Sequence, residues 1–184
     1  PLRWLRRAIH PVYDLRALHE LWQLCRRQRY TVVHTHNSKA GIVGRLAARL
    51  AGVPVIVHTV HGFAFHDAEA GWRRVLYRAL ERLAARWCDR LIFISQPLWD
   101  WAVQERIGCV ERFAKIYSGV DLSAYRAPAD TSALRASLGF GPEALVIGEV
   151  AKLWEGKGHA VLLRAFAQMS PRWPQARLLI VGDG

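Results

Sequence analysis

Polar residues collect at 32–41, VVHTHNSKAG, where a β-rich run gives way to a helix-like one. In open α/β sheets, ligands bind outside the carboxyl ends of the strands, and the free N–H groups at a helix N-terminus favour anions. Asn37, Ser38 and Lys39 are therefore candidate ligand contacts, which we expect to line a cleft. The alternative interpretation is that Asn37 or Ser38 only caps the helix that follows.

A second polar segment, HTVHGFAFH at 58–66, also follows a strand-like run. His61 precedes Gly62, which permits a sharp turn or the close approach of a ligand, and Phe63 comes next. A histidine there could hydrogen-bond a ligand or help to move a proton near neutral pH. Three histidines within nine residues also suggest a metal site, but no H-E-x-x-H or Cys/His pattern supports one, and we expect no metal.

The third segment, GEVAKLWEGKGH at 148–159, joins a strand to a helix through a loop with two lysines. Lys152 and Lys157, with Gly156 beside the second, lie next to the N–H groups of a helix, an arrangement that suits an anionic diphosphate. The segment matches neither the Walker pattern G-x-x-x-x-G-K-[ST] nor the dinucleotide pattern G-x-G-x-x-G. Taken alone, a solvated Gly-Lys-Gly turn is the alternative.

Strand-like and helix-like runs alternate along the chain and must position these segments. The run PVIVHT is apolar on both faces, as expected in a parallel sheet covered by helices, and small residues in the helix before it predict close packing on that sheet. Helices are predicted from Asp14, as an N-cap, to the basic cluster ending at Arg29, and then at 37–51, 72–87 and 97–107. Strands are predicted at 30–35, 54–59, 89–95 and 113–117. This order predicts an α/β fold, a Rossmann-like parallel sheet with crossover helices.

Residues 119–141 are poor in periodic apolar residues, have one weak helical pattern at 132–138, and contain Pro128 and several glycines. We therefore predict a domain boundary there. The predicted parts are a first domain at 1–120, a linker at 121–143, and the start of a second Rossmann-like domain at 144–184. That start is one βαβ unit, with a strand at 144–150, a loop at 151–158, a helix to about Met169 and a strand at 176–181. We expect both ends of the chain to be truncated.

The composition is that of a globular protein, with 52% hydrophobic and 22% charged residues among 184. Lys and Arg outnumber the acids by 26 to 15, and the net charge of +11 favours an anionic partner such as phosphate, nucleic acid or a lipid surface. The three dispersed cysteines indicate neither a disulfide framework nor a zinc site. Without an apolar run long enough for a membrane span, and without a signal peptide, the sequence predicts a cytoplasmic protein.

In their order and spacing, the three segments resemble the family 4 glycosyltransferases, retaining enzymes of the GT-B fold, over essentially the whole chain. The matching stretches are VVHTHNSKAGIVGRLAARLAGVPVIVHTVHGFAFH, RLAARWCDRLIFIS, AKIYSGVDLSAY, VAKLWEGKGH and LLIVGDG. The resemblance implies transfer of a sugar from a nucleotide-diphosphate donor to a saccharide or lipid-linked acceptor, in cell-envelope, polysaccharide or glycolipid synthesis. The second domain would hold mainly the donor and the first mainly the acceptor. No metal or further cofactor is implied.

By this resemblance, His61 matches the family histidine that faces the cleft and contacts the reacting sugar, and it is the expected catalytic residue. Lys157 matches the lysine, and Lys152 the usual arginine, that hold the donor diphosphate. A lysine at this second position keeps the charge but loses the bidentate fork of a guanidinium. The family's glutamate-rich donor-sugar motif and its first glycine-rich loop would lie outside the chain, so we expect the chain alone to be inactive.

Two other functions are compatible with parts of the sequence. A sugar-nucleotide epimerase of similar two-domain fold would hold a diphosphate in the same way and use different catalytic carboxylates. A basic nucleic-acid-binding module would explain the net charge of +11. No recognition motif or aromatic stacking array supports the second function, and we expect no nucleic-acid partner.

Arginines recur every four residues along one predicted helix, at Arg74, Arg78, Arg82 and Arg86. We hypothesise that this face attaches the protein peripherally to an anionic lipid surface on the inner side of a membrane, next to a lipid-linked acceptor. The alternative is a solvated helix face.

Overall fold

The structure, a computed structural model, divides into two compact units, Pro1–Val120 (unit 1) and Asp121–Gly184 (unit 2). Each unit contains a parallel β-sheet, and the α/β architecture predicted from the sequence is confirmed. His66 and Pro128 lie outside the described residues. The structure describes residues 2–6, 8–65, 70–126 and 130–184, and at 124, 125 and 155 it describes only the backbone.

Unit 1 has a four-stranded sheet in the order β1-β2-β3-β4, with every neighbouring pair parallel. Its strands are β1 (Val32–His36), β2 (Val55–Val60), β3 (Arg90–Phe93) and β4 (Phe113–Lys115), the last preceded by a 3₁₀ turn at Val110–Arg112. Its helices are α1 (Pro11–Gln28), α2 (Ser38–Ala51), α3 (Gly71–Ala85) and α4 (Gln96–Gln104). The carboxyl ends of parallel strands share one edge of a sheet, so the polar segments after β1 and β2 are brought together.

Helix α1 begins before Asp14, so the prediction of that residue as the N-cap was wrong. His10 is the N-cap, and Pro11 takes the first helical position, where its missing N–H and fixed φ carry no penalty. The Asp14 carboxylate instead accepts a hydrogen bond from the N–H of His10, at 3.1 Å. It therefore satisfies a backbone donor from inside the first turn of the helix.

Helix α2 packs closely on the sheet through two glycines, as its small residues predict. A Cβ at Gly41 would lie 2.9 Å from Nδ1 of His58, and a Cβ at Gly44 would lie 2.8 Å from Cγ2 of Thr35. Oγ1 of Thr35 and Nδ1 of His58 are themselves hydrogen-bonded at 2.9 Å. Side chains from β1 and β2 thus occupy the space that a larger residue in α2 would need.

A buried ion pair joins α2 to α3. Nη2 of Arg45 lies 2.8 Å from Oε2 of Glu81, and the two side chains are 0% and 3% exposed. Nε of Arg45 also donates to the carbonyl oxygen of Gly41, at 2.9 Å. Because a buried charge is tolerated only when it is paired and hydrogen-bonded, this pair fixes which side of α3 faces α2.

The helix predicted at 72–87 is present as α3, but several of its large apolar residues do not lie on the buried side. Trp72 and Val75 are 66% and 65% exposed, whereas Glu81, Ala84 and Ala85 are buried. The small alanines allow close approach, and the carboxylate meets Arg45 there. A large apolar surface on α3 is therefore exposed in unit 1.

The core of unit 1 lies around the central strands. Ile56 of β2 and Leu91 and Phe93 of β3 are at most 2% exposed. The rings of Phe93 and Phe113 lie 4.7 Å apart, so aromatic packing continues onto β4. This apolar core holds the strands whose ends carry the candidate site.

Unit 2 is built on one βαβ unit, as its sequence pattern predicts. β5 and β6 pair in parallel from Leu145↔Ala176 to Val150↔Val181. The elements are α5 (Ser123–Arg126), α6 (Ser132–Ser137), β5 (Leu145–Val150), α7 (His159–Met169) and β6 (Ala176–Val181), with 3₁₀ turns at Glu155–Lys157 and Ser170–Arg172. The two-lysine loop joins β5 to α7.

Candidate functional site

Two histidines meet at the carboxyl ends of β1 and β2. His36 is the last residue of β1, and His61 directly follows Val60, the last residue of β2. Nδ1 of His36 lies 3.0 Å from Nε2 of His61, within hydrogen-bond distance. Nδ1 of His61 has no hydrogen-bond partner among the described residues, and the ring is exposed. One ring nitrogen of His61 is therefore held and the other is open to a ligand.

A third histidine extends this cluster along β1. The ring of His34 lies 4.3 Å from that of His36, and its Nε2 lies 2.7 Å from Oγ1 of Thr59. Burial, followed by the charges of His36 and His61, lowers the pKa of His34. The environment thus favours the neutral form of His34.

His58 lies on the opposite face of the sheet, where its side chain is buried. It is 2% exposed, beneath α2. Burial, and then the charge of Arg45, lowers its pKa to about 3. A neutral ring packed under a helix is a structural group, so of the histidines at 58 and 61 only the second faces outward.

Asn37 and Ser38 connect β1 to α2. Asn37 is the N-cap residue, but its side chain makes no capping hydrogen bond. Its backbone has φ 62° and ψ 158°, a conformation that is almost restricted to glycine. Such strain persists only where the surrounding structure imposes it, and the exposed Asn37 side chain lies at the predicted ligand edge. Ser38, the first residue of α2, is half-buried.

The other residues predicted at this edge have different environments. Nζ of Lys39 lies 2.6 Å from Oδ1 of Asp14 and donates to the carbonyls of Arg6 and Ala8, so this lysine ties α1 and the segment before it to α2. Gly62 has open space where a Cβ would stand. Phe63 is 7% exposed and packs in the core.

Ser38 and Lys39 also line a cavity of about 490 Å³ between α2 and α3. Its wall is mostly apolar and includes Ile42, Tyr77 and Leu80. An apolar cavity bordered by a few polar groups is the usual form of a small-molecule site.

In unit 2, the two-lysine loop carries both candidate diphosphate ligands on its surface. Lys152 and Lys157 are exposed, and the N–H of Lys157 donates to the carbonyl of Trp154 at 2.9 Å. A Cβ at Gly156 would lie 2.6 Å from Cζ3 of Trp154, so the indole ring packs directly against this glycine. Gly158, the N-cap residue of α7, adopts φ 80°. The loop therefore has a defined backbone conformation, with both ammonium groups free to meet an anion.

His159, which the sequence analysis did not single out, holds this loop. Its Nδ1 lies 2.8 Å from Oε2 of Glu149, and its Nε2 lies 2.9 Å from the carbonyl oxygen of Lys152. The hydrogen bonds to that carbonyl and to Glu149 raise the pKa of His159. His36 was missed as well, although the alternation of His34 and His36 along one strand face was a signal for it.

Among the described residues, no group of three or more His, Cys, Asp or Glu side chains could hold a metal ion. No helix within the described ranges is long and apolar enough to cross a membrane.

Comparison with protein families identifies the first part of the chain. Residues 1–109 match the model described as a Glycosyl transferase 4-like domain. The chain belongs to this family. The family 4 glycosyltransferase resemblance of the sequence is thereby confirmed.

Curated relatives of this glycosyl transferase 4-like chain are themselves named as glycosyltransferases. It is 35% identical over 183 residues to the Escherichia coli UDP-Gal:alpha-D-GlcNAc-diphosphoundecaprenol alpha-1,3-galactosyltransferase, covering 98% of this chain and 47% of that protein. It is 34% identical to the D-inositol 3-phosphate glycosyltransferase of Rhodococcus jostii, covering 83% and 35%. The chain thus spans about half the length of the first relative and about a third of the length of the second.

Solved structures confirm the GT-B type of fold for this glycosyl transferase 4-like chain. It superposes on Anabaena HepE, solved in complex with UDP and glucose, with a TM-score of 0.77 at 26% identity, covering 97% of this chain and 46% of that one. Sucrose-phosphate synthase from Thermosynechococcus elongatus gives a TM-score of 0.74 at 21% identity, covering 99% and 44%, a likeness of fold alone.

Proposed function

We propose that this chain is part of a retaining glycosyltransferase, which moves a sugar from a nucleotide-diphosphate donor to an acceptor in the synthesis of a cell-envelope polysaccharide or glycolipid. The observation that carries the proposal is the placement of His61. This residue matches the family's cleft histidine, and its ring stands at the carboxyl edge of a parallel sheet with Nε2 held by His36 and Nδ1 open. Family membership supplies the reaction class.

The roles of the other residues follow from the charge that develops during the reaction. Breaking the anomeric bond leaves negative charge on the departing diphosphate, and preorganised cations stabilise that charge. Lys152 and Lys157, exposed on one structured loop, are the cations we assign to it. Nδ1 of His61 would hydrogen-bond the reacting sugar or help to move the acceptor proton. With two ammonium groups in this role, we propose that neither a metal nor another cofactor takes part.

We further propose that the first unit binds a lipid-linked or saccharide acceptor. The Escherichia coli relative is named for an acceptor carried on diphosphoundecaprenol. In unit 1, Ser38 and Lys39 border the cavity of about 490 Å³ whose wall is mostly apolar. A cavity of this chemistry suits an acceptor with polar and apolar parts.

The surface of α3 supports attachment of such a protein to the inner face of a membrane from the cytoplasmic side. Trp72 and Val75 are largely exposed, and arginines recur along the same helix. Apolar and aromatic residues beside cations are typical of helices that lie in a lipid interface. Sedimentation with vesicles of anionic or zwitterionic lipid at low salt would test this. We expect the wild type to sediment with anionic vesicles and Trp72→Ser to sediment with them less. Equal recovery of the wild type with anionic and with zwitterionic vesicles would contradict the attachment.

The diphosphate assignment is tested on protein from the complete reading frame by thermal shift with a panel of nucleotide sugars. A matching donor is expected to raise Tm in the wild type and much less in Lys157→Ala. Arg164→Ala, which removes an exposed cation from α7 in the same unit, is the matched control and should retain the shift. Equal stabilisation of the wild type and Lys157→Ala would contradict the assignment.

Product analysis by NMR then decides the reaction. Transfer with retained anomeric configuration is expected, and His61→Ala should abolish most of it. Conversion of the donor sugar without any acceptor would instead identify a sugar-nucleotide epimerase. We expect no turnover from residues 1–184 alone, and measurable transfer by that chain would contradict the proposed division of labour between two domains.

A further inference from the structure

His159 bonds two hydrogen-bond acceptors at once. Its Nε2 lies 2.9 Å from the carbonyl oxygen of Lys152, and its Nδ1 lies 2.8 Å from Oε2 of Glu149. The side chains of His159 and Glu149 are only 16% and 22% exposed. A strand residue, a loop carbonyl and the first residue of α7 are therefore linked through one imidazole ring.

The chemistry of these partners decides the protonation of the ring. A carbonyl oxygen can only accept a hydrogen bond, so Nε2 must donate to Lys152. An ionised carboxylate also only accepts, so Nδ1 must donate to Glu149. An imidazole that donates from both nitrogens is an imidazolium cation.

We propose that His159 is a positioning residue for the donor diphosphate: as an imidazolium it fixes the backbone at Lys152 to β5 and so presents the lysine loop to the donor. This inference rests on the proposed function, because it assigns a task to the loop that Lys152 and Lys157 occupy. The positive charge also sits beside the two lysines at the N-terminus of α7, where the helix dipole opposes a cation and a bound diphosphate would offset that effect.

The groups around the ring explain how its charge is kept. The hydrogen bond to the Lys152 carbonyl and the one to Glu149 raise the pKa of His159, and the nearby charge of Lys157 opposes them. Asp183, two residues beyond β6, contacts the same loop through its carbonyl oxygen, which accepts from the N–H of Leu153 at 2.7 Å. The carboxylate of Glu149 therefore balances the positive charge of His159 next to the lysines.

The direction of the pH effect follows from the raised pKa. Both bonds are present below the ordinary titration range of histidine, near about pH 6.5, because the ring is then protonated. As pH rises through the higher folded-state value, one donor is lost and the stabilisation of the loop is lost with it. The loop therefore loosens on the alkaline side.

Histidine-selective ¹⁵N NMR of the 184-residue chain tests the protonation directly, without any nucleotide sugar. Between about pH 5 and about pH 9, both nitrogens of His159 are expected to carry hydrogen until a midpoint above the ordinary value of about 6.5. Glu149→Gln should lower the midpoint of His159. The resonances of His19 in α1 should be the same in the wild type and in this variant at each pH, which makes them an internal control. A midpoint at or below the ordinary value, or one that Glu149→Gln leaves in place, would overturn the proposal.

Two conservative variants separate positioning from simple packing. His159→Asn keeps an amide near the Nδ1 position and loses the bond to Lys152, whereas His159→Gln keeps a donor near the Nε2 position. Hydrogen exchange at the N–H of Lys157, which bonds the Trp154 carbonyl, should accelerate several-fold in the first variant and be restored largely in the second. In the wild type, exchange at this N–H should increase with pH more steeply than intrinsic amide exchange does, as His159 deprotonates. Equal exchange in all three proteins would overturn the positioning role.

A second arm adds inorganic pyrophosphate. It is expected to raise the titration midpoint of His159 and to bind more weakly to His159→Asn. If the ¹⁵N and exchange results hold and pyrophosphate leaves every spectrum unchanged, the diphosphate site of the proposed function fails and the His159 link stands as a structural one. If pyrophosphate binds equally to the wild type and His159→Asn, the positioning role fails alone.

Discussion

Nδ1 of His36 and Nε2 of His61 lie 3.0 Å apart, across two strand ends that are 25 residues apart in the chain. One hydrogen shared between these nitrogens fixes the orientation of the His61 ring. If this pair of histidines takes up one extra proton, the cation is either His61 or His36. When it is His61, both ring nitrogens of His61 carry hydrogen. When it is His36, His61 accepts at Nε2 and carries its own hydrogen on Nδ1. The pair then presents a hydrogen-bond donor to whatever lies in front of His61.

Replacing His36 should therefore impair His61 without removing it. His36→Phe keeps a ring against His34 and loses the bond, and we expect the ¹⁵N spectrum of His61 to show two tautomers in exchange. In a transfer assay on protein from the complete reading frame, kcat/KM should fall about 10-fold, the worth of one hydrogen bond of about 1.4 kcal/mol. His36→Asn, with an amide near the Nδ1 position, should recover part of the loss. An unchanged His61 spectrum in His36→Phe would contradict the pairing.

The Arg45–Glu81 pair predicts a large stability effect in unit 1. Glu81→Ala leaves a guanidinium buried without its carboxylate, and we expect the free energy of unfolding to fall by about 3–5 kcal/mol. Urea denaturation followed by hydrogen exchange at amides of unit 1 would measure it. Glu111→Ala removes an exposed carboxylate and is the control, with an expected change within about 0.5 kcal/mol. Similar losses in both variants would show that the buried pair has no special role.

His58 predicts how the stability of unit 1 depends on acidity. Its pKa is about 3 in the folded chain against 6.5 for an ordinary histidine. Between these values only the unfolded chain binds the proton, so stability falls as pH drops through this window, by up to about 1.4 kcal/mol per pH unit. Comparison of urea midpoints of the wild type and His58→Gln from about pH 7 to about pH 4 isolates this contribution from that of the carboxylates. The variant should show the flatter profile, and equal slopes would count against a neutral buried His58.

The glycines of α2 predict a steric effect. Gly41→Ala places a methyl group against the ring of His58 and should destabilise unit 1 by about 1–3 kcal/mol. Gly71→Ala, at the start of α3, meets no atom of the described residues within 4 Å and should be neutral or stabilising by up to about 1 kcal/mol. Thermal or urea unfolding of the two variants would distinguish them, and a neutral Gly41→Ala would mean that α2 does not pack as closely as described.

The local pattern of the sequence determined the secondary structure and the parallel sheets. Helical spacing, apolar strand runs and Gly/Pro breakers are properties of neighbouring residues, and they predicted α2, α3 and the βαβ unit of unit 2. The motifs at 32–41, 58–66 and 148–159 also indicated the family resemblance, which the match over residues 1–109 confirms for the first part of the chain. Even so, local signals misplaced the start of α1, where Pro11 rather than Asp14 decides the boundary.

Only the tertiary structure decided which side chains meet. His36 and His61 are 25 residues apart and Arg45 and Glu81 are 36 apart, so their contacts depend on strand register and on the rotation of α3 about its axis. A shift of one residue in a strand would turn His36 to the other face of the sheet. The same rotation of α3 buries Glu81 and exposes Trp72, so burial along this helix does not follow the polarity of the side chains. Sequence could name a histidine and two lysines as candidates for the proposed site, whereas the groups that contact them became visible only when distant segments were packed together.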